Sequence, residues 1–408
     1  MKIFYFIIIR IYFILIYFAS FFNAKAKKMI EGRKNWATQL KNKVETGSDY
    51  IWVHCASLGE FEQARPVIEL IKKNKNDKKI ILSFFSPSGY EIRKNYKFAD
   101  IVCYLPFDSK KNAKTFINIV KPGYAIFVKY EFWYYYINEL SKQKIDVYLI
   151  SAVFRKSQIF FKKYGNFYLK ILKKYKTIFL QDEKSKQILE KFGITNSIVC
   201  GDTRIDRVVE IAREDYNNKH LDDFSKNGFT LIAGSTYLHD EKILYKLFEK
   251  AGFDLKLIIA PHEVGEENIS RLQKLFKERT VRLSEIKSVP TEKTDVVIVD
   301  SIGLLSRIYR YADIVYIGGG FGKGIHNILE AVAYGVPIAF GPNHKKFNEA
   351  IELINYNVAF EINNHKDLMF FIDKFRFKQD LLLMCKENAQ NFIYKSKGAS
   401  NFIYKNFK

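Results

Sequence analysis

The chain has 408 residues, of which 48% are hydrophobic, so it can build two domains with full hydrophobic cores. Its formal net charge of +22 invites an anionic partner such as nucleic acid, a membrane surface or a phosphorylated substrate. Lysines dominate this charge without an Arg-rich tract, a zinc knuckle or an RNP-type motif, which argues against a nucleic-acid-binding protein.

The cysteines are far apart and show neither metal-binding nor redox spacing. They are Cys55, Cys103, Cys200 and Cys385. This pattern predicts free, mostly buried thiols in a reducing compartment and no structural metal.

The chain begins with an apolar run over residues 3–22 that is broken only by Arg10. Its length matches the core of a bilayer. Basic residues follow at once: Lys25, Lys27, Lys28, Arg33 and Lys34. The positive-inside tendency then keeps the rest of the protein in the cytoplasm, whereas a cleaved signal peptide carries its basic flank on the other side. We therefore predict a membrane anchor over residues 1–24, either spanning the bilayer or lying in its interface.

Short apolar runs then alternate with helical patterns. The predicted strands of a first domain are Ile51–Cys55, Lys79–Phe85, Ile101–Leu105, Tyr124–Val128, Val147–Ile150, Thr177–Leu180 and Ile198–Cys200. Between them lie helical segments such as 61–73, 132–142 and 185–192. The alternation predicts a parallel, doubly wound sheet in a domain covering residues 25–212.

A charged segment, residues 213–228, marks the join to a second domain of the same kind. The predicted strands of this second domain are Phe229–Ala233, Leu255–Ala260, Val296–Val299, Ile314–Ile317 and Ile338–Phe340. We predict a second doubly wound domain over residues 213–408, whose last helix is a candidate to pack back on the first domain. Two such domains in tandem predict a ligand cleft between them.

Two carboxylates follow strands of the first domain. Glu60 closes the sequence HCASLGE after the first predicted strand, and Glu131 lies in KYEFW after the fourth. Both are expected at the carboxyl edge of the sheet, where doubly wound domains bind ligands. Glu60 can serve there as a general base. The structural alternative, an acid in the first turn of a helix, is equally open for both.

The second domain carries a glycine loop with the composition of a nucleotide site. An apolar run ends at Ile317, and Gly320 and Gly322 belong to the loop that follows. A helix is predicted from Asn327, with Glu330 about one turn in, where its carboxylate can reach sugar hydroxyls. Backbone N–H groups of such a loop and the positive end of such a helix favour a phosphate. A glycine-rich turn before a packed helix is the structural alternative.

Other strand ends of the second domain add polar groups at the same edge. Ser235 and Thr236 follow its first strand, and His262 follows its second. No Asp-x-Asp pair occurs in the chain. A cation-dependent sugar-nucleotide transferase of the single-domain kind usually needs such a pair, so a metal-free, two-domain design is favoured.

Taken together, these strand-end motifs resemble the 3-deoxy-D-manno-octulosonic acid (Kdo) transferases of lipopolysaccharide synthesis. The matching segments are HCASLGE (54–60), SPSG (86–89), YLPFD (104–108), KYEFW (129–133), ISAVFR (150–155), GDTRID (201–206), AGST (233–236), PHE (261–263), GGGFGKGIHNILEA (318–331) and FGPNHKKF (340–347). They cover nearly the whole chain in the family's order.

This resemblance implies a GT-B fold of two Rossmann-like domains facing a cleft, an N-terminal membrane anchor and catalytic domains on the cytoplasmic side of the inner membrane. It implies an inverting, metal-independent glycosyltransferase without a cofactor, with CMP-Kdo as the donor and a lipid A precursor (lipid IVA) as the acceptor. Glu60 is then the catalytic base and Glu131 a second essential carboxylate. The donor nucleotide is then held by Ser235, Thr236, His262, Gly320, Gly322, Asn327 and Glu330.

Two other functions remain open. One is a GT-B glycosyltransferase that uses a UDP- or GDP-sugar. The other is an inactive, basic, membrane-associated binding protein, for which Lys129 gives support because many relatives carry Glu there. The basic stretch over residues 161–176, interleaved with aromatic side chains, is a candidate contact with anionic headgroups. A solvated lysine face is the alternative for that stretch.

Overall fold

The computed structural model describes residues 2–75, 77–162, 164–288 and 293–407. The chain forms two compact units. Unit 1 comprises Met1–Asp206 and Lys397–Lys408, and unit 2 comprises Arg207–Ser396. The division therefore falls six residues before the boundary expected from the sequence, and the C-terminal segment is part of unit 1. The cleft between the domains stays a prediction.

All regular strands belong to two sheets. In chain order the strands are β1 Tyr50–Cys55, β2 Lys79–Phe84, β3 Ile101–Tyr104, β4 Tyr124–Val128, β5 Asp146–Ala152, β6 Thr177–Leu180, β7 Ser197–Val199, β8 Phe229–Thr236, β9 Leu255–Pro261, β10 Thr280–Arg282, β11 Val296–Ile298, β12 Ile314–Ile317, β13 Ile338–Phe340 and β14 Ala359–Glu361.

Helices precede, separate and follow these strands. They are α1 Lys2–Ala19, α2 Ala24–Glu31, α3 Trp36–Lys43, α4 Leu58–Asn74, α5 Pro87–Arg93, α6 Lys110–Val120, α7 Tyr134–Lys142, α8 Asn166–Leu172, α9 Glu183–Lys191, α10 Thr203–Arg213, α11 Lys219–Lys226, α12 Leu238–Lys250, α13 Glu266–Phe276, α14 Leu305–Ile308, α15 Leu329–Val332, α16 Asn348–Asn355, α17 His365–Arg376, α18 Gln379–Ser396 and α19 Ala399–Lys405. Short 3₁₀ segments lie at Ile159–Phe161, Lys277–Arg279, Leu283–Ser288 and Tyr309–Tyr311.

Unit 1 is a parallel sheet covered by helices on both faces. Its strand order is β3-β2-β1-β4-β5-β6-β7. Successive residues of β1 point to opposite faces, so Trp52 packs in the core that includes Phe116 and Tyr136, whereas Val53 packs in the core that includes Phe61. Both faces are buried, which is why the strands read as continuous apolar runs rather than as alternating ones.

The C-terminal helix α19 completes unit 1 by packing on α4. Asp206 accepts hydrogen bonds from the backbone N–H groups of Gly398 (2.6 Å) and Ser400 (2.7 Å), at the beginning of this helix. Ile403 and Phe407 are buried in the same core as Phe61.

Unit 2 repeats the architecture with the strand order β10-β11-β9-β8-β12-β13-β14. All of its strand pairs are parallel. This confirms the prediction of two parallel-sheet α/β domains. The edge strands β10 and β14 were not predicted, because three residues at a sheet edge leave too short a pattern to recognise.

Each sheet has a switch point between two neighbouring strands. In unit 1 the chain extends the sheet in one direction from β1 and then in the other from β4. In unit 2 it extends the sheet from β8 to β9, passes to the edge strand β10, returns to place β11 between β10 and β9, and then extends the sheet in the other direction from β12. In open α/β sheets the crevice at such a switch point, beyond the carboxyl ends of the two strands, is where ligands bind. The topology therefore predicts that the loops after β1, β4, β8 and β12 bind ligands.

The apolar N-terminal run forms one helix, α1, and the basic residues after it form a second helix, α2. Asn23 ends the run because its side-chain oxygen caps α2, accepting from the backbone N–H groups of Lys25 (2.9 Å) and Ala26 (3.1 Å). Within the residues that the structure describes, no single helix meets the length and hydropathy expected of a bilayer-crossing segment. The pair Ile3–Ala19 and Ala24–Glu31, bent by 117°, meets it only when both are taken together.

Candidate functional site

The candidate site of unit 1 lies at its switch point. Cys55 ends β1, and Glu60 is the third residue of α4, which follows it. Val128 ends β4, and the loop that leads to Glu131 begins with Lys129 in the left-handed backbone region, at φ +60°. A non-glycine residue in this region stores strain, and such residues concentrate at functional sites.

Glu131 is held in place by a chain of buried hydrogen bonds. Its Oε2 accepts from the indole N–H of Trp133 at 2.5 Å and lies 3.1 Å from Nε2 of His54. On the other side of the His54 ring, Nδ1 lies 2.9 Å from the hydroxyl of Ser83, which accepts from the indole N–H of Trp52 at 2.7 Å. Glu131 is only 8% exposed and His54 is fully buried, so little water competes for these bonds.

Two further contacts complete this network. Nδ1 of His54 also lies 3.1 Å from the carbonyl oxygen of Ser83, and Nε2 also lies 3.1 Å from the indole nitrogen of Trp133. Both ring nitrogens of His54 are therefore engaged, and the ring connects β2 to the loop that carries Glu131.

Glu60 has a more open setting. It is partly exposed in the first turn of α4, and its carboxylate accepts a hydrogen bond from the hydroxyl of Ser57. Burial raises the pKa of the Cys55 thiol well above its usual range, and the negative charges of Glu60 and Glu131 raise it further. The structure thus gathers both predicted carboxylates around the end of β1.

Neighbouring residues that could bind an anion are already engaged. Arg93, which follows the SPSG loop, donates to Glu62 at 2.8 Å and lies over the ring of Phe61. Ser86 caps α5 by accepting from the backbone N–H of Ser88 at 3.3 Å. This loop is therefore built as an ordinary helix start.

The candidate site of unit 2 is organised by Asp240, which the sequence analysis missed. Its carboxylate is buried and accepts from the backbone N–H of Tyr237 (2.9 Å), the backbone N–H of Gly319 (3.0 Å) and the hydroxyl of Tyr316 (2.6 Å). One side chain thus joins the start of α12, the end of β12 and the glycine loop. Asp240 is the third residue of α12 and bonds back to the backbone N–H of the cap residue, as the acid of a capping box does. Tyr237 stands where such a box carries Ser or Thr, so the sequence does not show the motif.

The glycine loop packs directly on the loop after β13. A Cβ atom on Gly320 would lie 2.5 Å from the backbone nitrogen of Gly341, so only glycine fits there. Asn343 joins the two loops through its backbone N–H to the carbonyl of Gly320 (2.8 Å) and its side-chain amide to the carbonyl of Gly322 (2.9 Å). The glycines therefore allow the two loops to pack closely, in addition to allowing the backbone to approach a ligand.

The helix predicted from Asn327 is much shorter than expected. The regular helix α15 covers only Leu329–Val332, and Gly335 stands at φ +72° soon after it. A single turn aligns few peptide dipoles, so the predicted attraction of a phosphate to a helix end is weaker than assumed. Asn327 caps this turn and donates to Glu330 at 2.8 Å, which fixes the carboxylate beside the loop.

The remaining predicted residues of unit 2 differ in accessibility. Ser235 follows Gly234 with a left-handed backbone, at φ +55°. The Thr236 hydroxyl is buried and donates to Glu241 at 3.3 Å. His262 is exposed, and its backbone N–H donates to the carbonyl of Thr236 at 3.0 Å.

An aromatic cluster lies around His262. The ring of His262 is 4.4 Å from that of His326 and 4.9 Å from that of Tyr237, measured between centroids, and Nε2 of His326 is 3.1 Å from the Tyr237 hydroxyl. Burial lowers the pKa of His326 to about 4, and the neighbouring His262 adds to this effect. The neutral imidazole can take up a proton when a bound anion supplies a compensating charge. His326 was not singled out from the sequence.

Among the described residues there is no group of three or more His, Cys, Asp or Glu side chains arranged to hold a metal ion. The four cysteines are free, and Cys55 and Cys385 are buried.

Comparisons of the sequence with known proteins found similarity to Kdo transferases. Residues 29–207 match the family described as 3-deoxy-D-manno-octulosonic-acid transferase (kdotransferase). The chain is 29% identical over 326 residues to the 3-deoxy-D-manno-octulosonic acid transferase of Aquifex aeolicus, an alignment covering 78% of this chain and 84% of that protein. It is 25% identical over 388 residues to the enzyme of the same name from Rickettsia prowazekii, covering 92% of this chain and 83% of the relative.

Among solved structures, a glycosyltransferase from Rickettsia africae superposes with a TM-score of 0.60 at 16% identity, covering 88% of this chain and 98% of that one. At this identity the likeness concerns the fold alone. It shows that two parallel-sheet α/β units of this kind resemble those of GT-B glycosyltransferases.

Replacing Asp240 tests its role in unit 2. Asp240→Ala removes three hydrogen bonds to a buried carboxylate and leaves their donors unpaired, so we expect the free energy of unfolding to fall by about 3–5 kcal/mol. Asp240→Asn keeps the shape and one acceptor and should lose less. Urea unfolding measures both, with Asp215→Ala at an exposed position as the matched control. If Asp240→Ala is as stable as the control, Asp240 does not anchor the loop.

The low pKa of His326 predicts a pH dependence of stability. The folded protein keeps His326 neutral down to pH about 4, whereas the unfolded chain binds the proton below its ordinary pKa of about 6.5. The stabilising contribution is therefore complete above pH 6.5 and is lost as the pH falls toward 4. We expect His326→Gln to flatten the fall in melting temperature over this range, while His220→Gln leaves it unchanged. Parallel curves for wild type and His326→Gln would contradict the assignment.

Proposed function

The chain is a glycosyltransferase related to the Kdo transferases, and from this premise we propose that it transfers Kdo from CMP-Kdo to a lipid A precursor with inversion at the anomeric carbon. One observation supports this most directly. The motifs shared with the family lie at the carboxyl ends of the strands that form the two switch points. HCASLGE spans the end of β1, KYEFW follows β4, AGST ends β8 and GGGFGKGIHNILEA follows β12.

In this proposal Glu60 is the base. Its carboxylate is partly exposed, so an acceptor hydroxyl can reach it, and Ser57 holds it by a hydrogen bond. Glu60 takes the proton of the acceptor's sugar hydroxyl as that oxygen attacks the anomeric carbon of Kdo. Attack from one face, with CMP leaving from the other, inverts the anomeric centre.

Glu131 has a different part. Its Oε2 is already occupied by Trp133 and His54, and it is almost fully buried. Such a carboxylate is fixed in position, which suits it to orient the acceptor rather than to exchange protons. The loop that carries it is strained at Lys129, as expected for a residue held for function.

Unit 2 holds the donor in this proposal. Asp240 fixes the glycine loop through the backbone N–H of Gly319, and the cluster of His262, His326 and Tyr237 lies beside this loop. CMP leaves as a phosphate anion, which these groups stabilise without a metal ion. Asn327 and Glu330 are the candidates to hold sugar hydroxyls, while Gly320 sets the shape of the loop.

A transfer assay tests donor, acceptor and base together. Wild type, Glu60→Gln and Glu62→Gln are given CMP-Kdo, generated in situ, and tetraacyl lipid A precursor in the presence of EDTA. We expect wild type to form product, Glu60→Gln to be slower by about 10²–10⁴-fold, and Glu62→Gln, on the same helix, to retain its rate.

The outcomes separate the alternatives. CMP should inhibit the reaction, whereas UDP and GDP should not. Product formed from a UDP- or GDP-sugar but not from CMP-Kdo would favour another GT-B glycosyltransferase. Absence of transfer from any of these donors would favour a binding protein, and equal rates for wild type and Glu60→Gln would remove Glu60 as the base. Loss of product with EDTA would contradict metal independence.

We further propose that α1 attaches the protein to the cytoplasmic face of the inner membrane by lying in the interface. Most of its apolar side chains are exposed, for example Ile8 at 59% and Leu15 at 61%. A helix on the surface with such a face binds a lipid interface, and the lysines that follow favour anionic headgroups. Arg33, counted with that basic flank, is instead buried and donates to the carbonyl of Leu105 at 2.8 Å.

The basic stretch over residues 161–176 contributes less to this surface than its composition suggests. Lys163 lies outside the described residues. Lys174 donates to Asn138 at 2.7 Å, and burial lowers its pKa, while Lys176 pairs with Asp146.

Vesicle flotation tests the membrane contact. The double substitution Ile8→Asp and Leu15→Asp places two negative charges on the exposed side of α1, and we expect it to abolish flotation with anionic vesicles because it removes apolar contact area and adds repulsion from the headgroups. The double substitution Ile302→Asp and Leu383→Asp, at exposed positions of unit 2, is the control. Release of wild type by alkaline carbonate indicates an interfacial helix, and retention indicates a spanning one. Wild type that does not float would contradict the proposal.

A further inference from the structure

The first helix has a polar contact that attachment to a membrane does not require. The hydroxyl of Tyr5 donates to Oδ2 of Asp108 at 2.5 Å, 103 residues away in the sequence. The same hydroxyl accepts from the backbone N–H of Tyr134 at 3.2 Å. The Tyr5 ring packs against Tyr134, with 5.8 Å between centroids, and against Phe167 at 5.6 Å. A helix that served only as an anchor would gain nothing from this arrangement.

Tyr5 and Asp108 together form the cap of α7. Asp108 accepts from the backbone N–H groups of Tyr135 (3.1 Å) and Tyr136 (3.2 Å), and Tyr5 accepts from that of Tyr134. The residue at the cap position itself, Trp133, makes no side-chain capping bond. The first turn of α7 is therefore satisfied by groups from elsewhere in unit 1.

This cap adjoins the loop that carries Glu131. Trp133 is the last residue before α7, and its indole N–H donates to Glu131 at 2.5 Å. On its other side the Trp133 ring packs on Phe85, with 4.8 Å between centroids, and Phe85 stacks on Tyr12 of α1 at 6.2 Å. The first helix thus contacts the loop from two directions, through Tyr5 and α7 and through Tyr12 and Phe85.

We propose that α1 is a positioning element for Glu131, acting through the Tyr5–Asp108 cap of α7, and that this role is separate from any membrane attachment. The inference rests on the proposed function in so far as Glu131 orients the acceptor. Loss of the Tyr5 hydroxyl frees the first turn of α7, lets Trp133 shift and loosens the carboxylate. Small misplacements of an orienting group reduce turnover more than they reduce ground-state binding.

Tyr5→Phe is the informative variant because it removes one oxygen and keeps the ring contacts. Tyr17→Phe is the matched control, since Tyr17 lies on the same helix and is 52% exposed. We expect Tyr5→Phe to lower kcat about fivefold with little change in the KM for the acceptor, because the two part-buried hydrogen bonds of the Tyr5 hydroxyl are lost. Flotation with anionic vesicles should match that of wild type for both variants.

Amide hydrogen exchange supplies a readout that does not depend on catalysis. The backbone N–H groups of Tyr134, Tyr135 and Tyr136 should exchange faster in Tyr5→Phe and at the wild-type rate in Tyr17→Phe. Asp108→Asn, which weakens the same cap, should accelerate the same amides.

Unchanged exchange at these amides would overturn the inference, whatever the enzyme's substrate proves to be. Faster exchange with an unchanged kcat would also overturn it, because the cap would then not reach Glu131. If the wild-type protein transfers no Kdo, the proposed function fails on its own, and the exchange experiment still decides whether Tyr5 holds α7.

Discussion

The reversal of strand order within each parallel sheet is the constraint on which the rest of the molecule depends. Parallel strands bring all their carboxyl ends to one edge, and at the reversal the following segments turn to opposite faces of the sheet. The loops after β1 and β4 in unit 1, and after β8 and β12 in unit 2, are therefore exposed together on a rigid base. The motifs HCASLGE, KYEFW, AGST and GGGFGKGIHNILEA lie at these four strand ends, so segments far apart in sequence come together at one edge of each sheet.

Loops at such an edge lack the regular backbone hydrogen bonds of strands and helices. In this protein, buried carboxylates bind the N–H groups of these loops instead. Asp240 joins the glycine loop to the start of α12, Glu131 accepts from Trp133 and contacts the His54 ring, and Asp108 caps α7. A carboxylate can accept several N–H groups at once, and each bond to a charged group is stronger than a neutral one. The cost of burying the charge is offset only if all these donors stay in place, so the geometry of each loop becomes well defined.

The sequence was sufficient for the features that depend on local pattern. Long buried strands were recognisable from apolar runs in the sequence. Glu60, Glu131 and the glycine loop were recognisable as candidate site residues because each follows one of these strands. Contacts between distant residues left no such signal: His54 meets Glu131 across 77 positions, and Tyr5 meets Asp108 across 103. Arg33 appeared to be part of a basic flank, whereas three backbone carbonyls bind it inside unit 1. The length of the helix after Asn327 was overestimated. Composition alone does not show that the glycine loop and the loop after β13 pack closely and that the regular helix has only one turn.

The N-terminal helix α1 combines an apolar composition with polar and aromatic contacts to the rest of unit 1. Composition alone makes it a membrane segment, yet one side of it is used by unit 1, where Tyr5 binds Asp108 and Phe13 packs on Phe107 at 3.7 Å between centroids. A helix that crossed the bilayer would have to withdraw these residues, which would leave the Asp108 carboxylate and the first N–H groups of α7 short of a partner. A helix lying in the interface can keep them and still offer its outer apolar side chains to lipid. The two roles proposed for this segment, contact with a membrane and support of the loop of Glu131, are therefore compatible, since they need different faces of one helix.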